Sequence, residues 1–393
     1  MDDKADAVSG RARLKVCHII TKLELGGAQR NTLYTVSHLD KARFEVSLLC
    51  GKGGMLDGEA PLSCRNTVFA KHLVRPINPF HDAAAIAELR SILREIGPDI
   101  VHTHSSKAGI IGRIAAKAAG VPHIIHTFHG FGFNSEQPLP IRTAYINAEK
   151  ICAAFSEKLV FVSRANMEEA RGLGIGKPDR YRLIRSGISL DKYRGEKPDR
   201  AGVRREMGFE ETCPLALCVG NMKPQKNPLE FVRIAADVAD KVPSARFIFT
   251  GDGPLRPQAE SLAKELGLEG KIAFPGWRED TARLMAAADL YMLASLWEGL
   301  PRSVVEALAC GLPCAAYATD GVADILRDGE NGFILPRKDS AGLASKAASV
   351  LSDRELRTRL AKNAAGTDLR EFDIDYMVAQ QERLYMETAC ISA

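Results

Sequence analysis

The chain has 393 residues, 46% of them hydrophobic and 26% charged, with a net charge of +4. That length suits two or three domains, and that composition suits a soluble globular protein. No apolar run is long enough to span a bilayer, the N-terminus is polar, and the nine cysteines form no Cys-x-x-Cys pair, which argues against a transmembrane helix, a signal peptide, a disulfide framework and a zinc site. The charge is uneven. Residues 1–195 hold 28 Lys and Arg against 19 Asp and Glu, and the remainder holds 25 against 30. A basic first half suits an anionic acceptor or an anionic membrane surface. The positive residues do not cluster and aromatics are only 6%, so nucleic acid is not expected. All nine histidines lie at or before position 129.

In chain order, Leu14 to Ile20 reads as a first strand, followed by a loop with Gly26-Gly27 and a helix over Gln29 to Leu39. Strand, glycine loop and helix are the opening of a doubly wound α/β domain. There is no Gly-x-Gly-x-x-Gly, which argues against a dinucleotide cofactor. The alternation continues with strands at 44–50, 99–103, 124–127, 158–162 and 181–184, and with helices at 83–96, 108–119 and 141–155. Residues 189–212 are charged and broken by Gly and Pro, so they read as a linker. Alternation restarts at 214–220 and runs through strands at 246–250, 272–274, 290–294 and 314–318. Residues 369–389 have the apolar stripe of a terminal helix. The fold class expected is α/β: two facing, doubly wound, Rossmann-like parallel sheets with a cleft between them. The N-terminal domain is placed at 1–190, with a terminal helix at 372–389 packing on it, and the C-terminal domain at 191–371.

The polar clusters follow strands, where ligands bind in such sheets. The most informative runs from Ser295 to Leu308. An apolar strand leads into Glu298-Gly299-Leu300-Pro301, and a helix follows from Ser303 to Cys310. Two carboxylates, Glu298 and Glu306, bracket the turn with seven residues between them. The first N–H groups of a helix lack partners inside it and carry the positive end of its dipole, so a phosphate suits the turn and sugar hydroxyls suit the carboxylates. Taken alone, such a pair is also consistent with two solvated surface glutamates. Gly26-Gly27 permits close backbone approach, although a plain turn reads the same. The loop Asn221 to Asn227 offers Lys223 and Lys226 to an anion, or is an exposed basic turn. His129 follows a strand beside a glycine. His102 and His104 alternate along a strand and share one face, but no third ligand has suitable spacing, so no metal is expected there.

Together these motifs resemble the retaining glycosyltransferases of family 4, which have the two-domain B-type fold, and in particular the bacterial members that build polysaccharides on lipid carriers. The resemblance rests on Glu298-x7-Glu306 within Glu-Gly-Leu-Pro, on the Lys226 loop, and on Val101-His102-Thr103-His104 leading to His126-Thr127-Phe128-His129-Gly130. It implies a nucleotide-sugar donor, by family frequency a UDP-sugar, and a polyprenyl-diphosphate-linked saccharide acceptor. It also implies no cofactor and no metal, and a cytoplasmic protein that can work at the inner face of the membrane. Glu306 matches the glutamate that holds the ribose hydroxyls, Glu298 the one beside the transferred sugar, and Lys226 the lysine that neutralises the leaving diphosphate. The backbone of Gly299, Leu300 and Ser303 matches the diphosphate cradle. Gly26 and Gly27 match the glycines that close over it, and His129 the histidine near the sugar ring.

Two positions depart from the pattern. Asn221 stands where the family usually has an arginine on the diphosphate, and a nearby ammonium such as that of Lys223 is no bidentate guanidinium. Arg185-Ser186-Gly187 replaces the usual Pro-Asn-Gly. Two other readings share the architecture. A nucleotide-sugar 2-epimerase would need acid and base groups at the sugar, which the histidine-rich half could supply. A non-catalytic nucleotide-binding partner would suit the missing arginine.

Overall fold

The computed structural model describes residues 13–195 and 198–390. These form two compact units. The first takes 13–162, 166–186 and 377–390, and the second takes 163–165, 187–195 and 198–376. The boundary between the units thus falls at Ser186/Gly187, against the expected 190/191.

The first unit is built on seven strands: β1 (Leu14–Lys22), β2 (Phe44–Gly51), β3 (Asn66–Ala70), β4 (Ile100–His104), β5 (His123–Phe128), β6 (Lys158–Phe161) and β7 (Tyr181–Leu183). All pair in parallel, in the order β3-β2-β1-β4-β5-β6-β7. The order reverses between β1 and β4. At that switch point the loops leaving neighbouring strands diverge and open a crevice at their carboxyl ends. Helices cover both faces, so the middle strands are buried throughout and mostly apolar. β4 and β5 are exceptions: Ile-Val-His-Thr-His and His-Ile-Ile-His-Thr-Phe are fully buried although three side chains of each are polar. One cover helix, Ser106–Ala119, lies very close to the sheet. A Cβ on Gly109 would stand 2.4 Å from the ring of His126, so only glycine allows this approach.

The second unit has six parallel strands: β8 (Leu215–Val219), β9 (Arg246–Thr250), β10 (Ile272–Gly276), β11 (Leu290–Leu293), β12 (Cys314–Tyr317) and β13 (Gly332–Leu335). Their order is β10-β9-β8-β11-β12-β13, with its own switch point between β8 and β11. The fold class is therefore as expected: two doubly wound parallel-sheet units.

The differences from expectation have local causes. The helix expected at 83 begins at Pro79, because Asn78 accepts hydrogen bonds from the Phe80 and His81 N–H groups and Pro79 fits the first turn. The expected linker at 189–212 is no linker. It carries helices Leu190–Arg194 and Arg200–Glu206, and the second is held fast. Arg204, 1% exposed, donates to Asp289 Oδ2 at 2.8 Å and to the carbonyls of Cys213 and Ala287, both at 2.9 Å. Arg200 also reaches Asp289. One buried, ion-paired arginine anchors this charged segment, which local composition does not distinguish from a solvated loop. β3 and β13, short edge strands, lie outside the expected set. The terminal helix runs Ile374–Cys390. Its residues from Met377 onward belong to the first unit, where Glu382 accepts from the Asp40 N–H at 2.8 Å and pairs with Arg43.

Candidate functional site

In the second unit, the loops on either side of the switch point follow β8 and β11. The β8 loop, from Gly220 to Asn227, turns tightly around Pro224–Lys226, and Asn227 adopts φ 51° at its end. Gly220 faces the stem of Lys226, with 3.1 Å between the lysine Cε and where a Cβ would be. The neighbouring β9 loop is zipped to it. The Met222 N–H donates to Asp252 O at 2.9 Å, and Gly251, at φ 127°, lies where a Cβ would meet the Gly220 carbonyl at 2.0 Å. Only glycine permits that approach and that conformation.

The β11 loop is fastened to the β8 loop by backbone and side chain. The Leu296 N–H donates to Gln225 O at 2.9 Å, and Gln225 Nε2 donates to Trp297 O at 3.0 Å. Glu298, 7% exposed, receives Lys226 Nζ on Oε1 at 2.5 Å. Its own N–H donates to Asp320 Oδ2. The buried carboxylate holds a half-buried ammonium at the carboxyl end of β8. Immediately after come Gly299, Leu300 and Pro301, and then the helix Arg302–Ala309, whose N-terminus carries the positive end of the helix dipole. Ser303 Oγ accepts from Tyr291 Oη at 2.6 Å, which ties the first turn of the helix back to β11. Glu306 sits about one turn in, half-buried, beside the Tyr193 hydroxyl. Burial first, and then the Glu306 charge, pushes the Tyr193 phenol well above its usual range. The structure therefore brings together Lys226, Glu298, Gly299, Leu300 and Ser303, with Asn221 at the start of the same β8 loop. Glu306 lies one helical turn further on. Gln225 and Asp320, which orient this group, carried no special weight in the sequence.

In the first unit, Gly26 is the extended residue that starts the Gly27–His38 helix at the carboxyl end of β1. His129 follows β5, and its Nε2 lies 3.2 Å from Nδ1 of His104. The third histidine that local spacing failed to provide for His102 and His104 comes from β1. His18 pairs in register with His102, so the two share a face. His18, His102 and His104 are buried, and one ring nitrogen of each lies within 4.8 Å of the others. Two of the rings, however, point at each other. The His18 and His104 rings are parallel within 4°, with centroids 5.2 Å apart and facing nitrogens 3.0 Å apart. They therefore meet edge to edge with room for one proton between them. A zinc ion needs about 2.0–2.1 Å to each nitrogen and a tetrahedral angle between them. Burial lowers the His18 pKa to about 3 and holds His102, His104 and His126 well below the usual range, so these imidazoles are neutral. A cavity at the carboxyl ends of β4 to β7 is lined by His104, His129, Thr127, Asn31, Arg185 and Gln381 together with apolar residues such as Val160, Val162 and Ile184.

Comparison with known proteins agrees with the division into units. A model described as Glycosyltransferase Family 4 matches residues 25–192, and one described as Glycosyl transferases group 1 matches residues 199–367. The chain is 29% identical over 382 residues to the Escherichia coli UDP-Gal:alpha-D-GlcNAc-diphosphoundecaprenol alpha-1,3-galactosyltransferase, covering 96% of this chain and 98% of that one. It is 27% identical to the Campylobacter jejuni N,N'-diacetylbacillosaminyl-diphospho-undecaprenol alpha-1,3-N-acetylgalactosaminyltransferase, covering 79% of this chain and 82% of that one. Among solved structures, Anabaena HepE in complex with UDP-glucose superposes with a TM-score of 0.81 at 20% identity, covering 95% of this chain and all of that one. At that identity the likeness speaks for the fold. With one family model on each unit and a curated transferase matched end to end, the chain belongs to the two-domain, B-type glycosyltransferases of family 4.

Proposed function

We propose that this glycosyltransferase moves a sugar from a UDP-sugar to a saccharide carried on undecaprenyl diphosphate, with the anomeric configuration retained. The observation that carries the reading is the end-to-end match to the Escherichia coli enzyme, whose name gives both a UDP-sugar and a diphosphoundecaprenol acceptor. The geometry of the second unit supports the donor half. Lys226 is fixed by Glu298 next to a helix N-terminus, an arrangement suited to a diphosphate.

In this mechanism the C1–O bond to the β-phosphate breaks as positive charge builds on the sugar ring. The acceptor hydroxyl forms the new bond to C1 from the same face, and its proton passes to the departing phosphate oxygen. An ammonium has three N–H donors. Glu298 takes one of those of Lys226, which aims the group, and the leaving diphosphate takes another. Glu298 faces the sugar, Glu306 holds the ribose hydroxyls, and the backbone of Gly299, Leu300 and Ser303 holds phosphate oxygens. Asn221 offers the diphosphate an amide where an arginine is usual. In the first unit, Gly26 and Gly27 meet the diphosphate and His129 meets the sugar ring. No step requires a metal. The 2-epimerase reading and the non-catalytic reading gain no support from the relatives named above.

The lipid end of the acceptor calls for a membrane face. None of the described helices is long and apolar enough to cross a bilayer. The first unit exposes Ile77, Phe80, Leu139 and Ile141, from 49% to 87%. Lys107 ties the segment carrying Ile77 and Phe80 to the Ser106–Ala119 helix by reaching Pro76 O and Asp82. With Arg75 and Arg142 nearby in sequence, this surface suits shallow insertion into an anionic bilayer. Flotation with anionic vesicles tests it: protein that stays entirely in the soluble fraction contradicts the membrane face.

The functional test is a panel of UDP-, GDP- and ADP-sugars with undecaprenyl-diphosphate-linked GlcNAc, read by product mass. A one-sugar mass gain with a UDP-sugar is expected. Conversion of UDP-GlcNAc to its manno epimer without acceptor, or UDP binding without transfer to any lipid-linked acceptor, overturns the reading.

A further inference from the structure

Beyond His129, the first unit holds a line of buried groups that the reaction above does not use. From His129 Nε2 it runs to His104 Nδ1 (3.2 Å), from His104 Nε2 to His18 Nδ1 (3.0 Å), and from His18 Nε2 to the Tyr385 hydroxyl (3.4 Å). The hydroxyl lies 2.6 Å from His102 Nδ1, and His102 Nε2 ends the line on Thr127 Oγ1 at 2.7 Å. The members come from β1, β4 and β5, the β5 loop and the terminal helix. His18, His102 and Tyr385 are 0% exposed and His104 is 2% exposed.

We propose that His104, His18 and Tyr385 are positioning residues that fix which ring nitrogen of His129 carries the proton. A neutral imidazole has one N–H and one lone pair, so in a row each ring donates on one side and accepts on the other. The direction set at one end is therefore imposed on the whole line. Tyr385 sets it. Its hydroxyl can donate to His102 Nδ1 or to Gln381 Oε1 at 3.2 Å. In both cases its oxygen accepts from His18 Nε2–H. His18 Nδ1 then accepts from His104 Nε2–H, and His104 Nδ1 accepts from His129 Nε2–H. Reversal would require Tyr385 to donate along the 3.4 Å contact, the longest in the line. His129 is thus held as the Nε2–H tautomer with its lone pair on Nδ1. The terminal helix thereby reaches the sugar-binding histidine through two imidazoles.

The part concerning the sugar rests on the reading of His129 given above, but the tautomer itself does not. The test is nitrogen NMR of the histidine-labelled, unliganded full-length protein, compared with Tyr385→Phe. Wild type is expected to show His129 protonated at Nε2 with a bare Nδ1. Tyr385→Phe, which keeps the ring and its packing, is expected to give a mixture of the two tautomers with an unchanged far-UV spectrum. It is also expected to show about tenfold lower kcat/KM for the donor, as a loss of orientation rather than of fold. His129 protonated at Nδ1 in wild type overturns the proposal. So does a His129 signal unchanged in the variant, and should Tyr385→Phe fail to fold, the wild-type spectrum alone decides. The expected tautomer in a protein that transfers no sugar would instead overturn the functional reading and leave the relay standing.

Discussion

The two units solve the same structural problem with different chemistry. Each is a doubly wound sheet with polar groups gathered at its switch point. At the switch point of the first unit the buried polar groups are imidazoles and hydroxyls: His18, His102, His104, Thr127 and Tyr385, linked to one another. In the second the loops of the switch point hold ions of opposite sign, Lys226 with the buried Glu298. All nine histidines precede position 130, so the second unit has none. An imidazole network stays neutral and can pass direction along its bonds. An ion pair holds fixed charge and suits a fixed charged ligand. The first unit also buries an ion pair, Arg113 with Glu149, but on its helices; the unit proposed to hold the nucleotide diphosphate is the one that sets an ion pair in its switch-point loops.

The difference predicts unequal responses to acid, which is the largest effect expected. The buried histidines have native pKa values below their unfolded values, His18 at about 3. As pH falls below about 6.5 the unfolded chain binds protons that the native unit does not, so stability is lost at about 1.4 kcal/mol per pH unit for each such imidazole. In the second unit the displaced groups are carboxylates with lowered pKa values, such as Asp280 at about 2, held by Arg278. Their contribution is intact above the unfolded value of about 3.9 and fades only as pH falls toward the native one. Both tryptophans, Trp277 and Trp297, lie in the second unit. Far-UV ellipticity should therefore begin to fall at a higher pH than the tryptophan signal changes. Coincident transitions near pH 4 would break the comparison.

Next in size is Lys226→Ala. Removing a fixed group that stabilises leaving charge should lower kcat by about 10²–10³, with the donor dissociation constant nearly unchanged. A loss confined to donor affinity would instead make Lys226 a binding handle. Glu306→Ala should weaken UDP binding by about 1.5–3 kcal/mol, the worth of hydrogen bonds to a charged group. Calorimetry that finds wild-type affinity removes the ribose assignment. The smallest effect is structural. Gly109→Ala places a methyl 2.4 Å from the His126 ring and should cost about 1–3 kcal/mol of stability. A neutral result would mean that the His126 ring shifts freely, which contradicts its anchoring on Thr103.

The same contrast explains what could be read from the sequence. The site of the second unit is local in the chain: Glu298 and Glu306 lie within one strand-turn-helix, and Lys226 within one loop. Periodicity and helix-end signals suffice to place them. The network of the first unit joins residues up to 367 positions apart, His18 to Tyr385, and no window of sequence shows that. One signal was available. Histidines at alternate positions of a buried parallel strand face the neighbouring strand in register, so His18 was the place to look for the third ring. The segment 189–212 misled for a related reason: its arginines reach Asp289, a partner about 85 residues away. Asn78 as a helix cap was legible in principle, since Asn followed by Pro at the first turn is a start signal.

The central claim is that the donor nucleotide is held by the β8 and β11 loops of the second unit. Hydrogen–deuterium exchange with and without UDP tests it most directly. Slower exchange is expected in peptides covering 220–227 and 296–307, with the interior strand β4 unchanged. No protection in those two loops on saturation with UDP, or protection centred on other segments of the second unit, would contradict it.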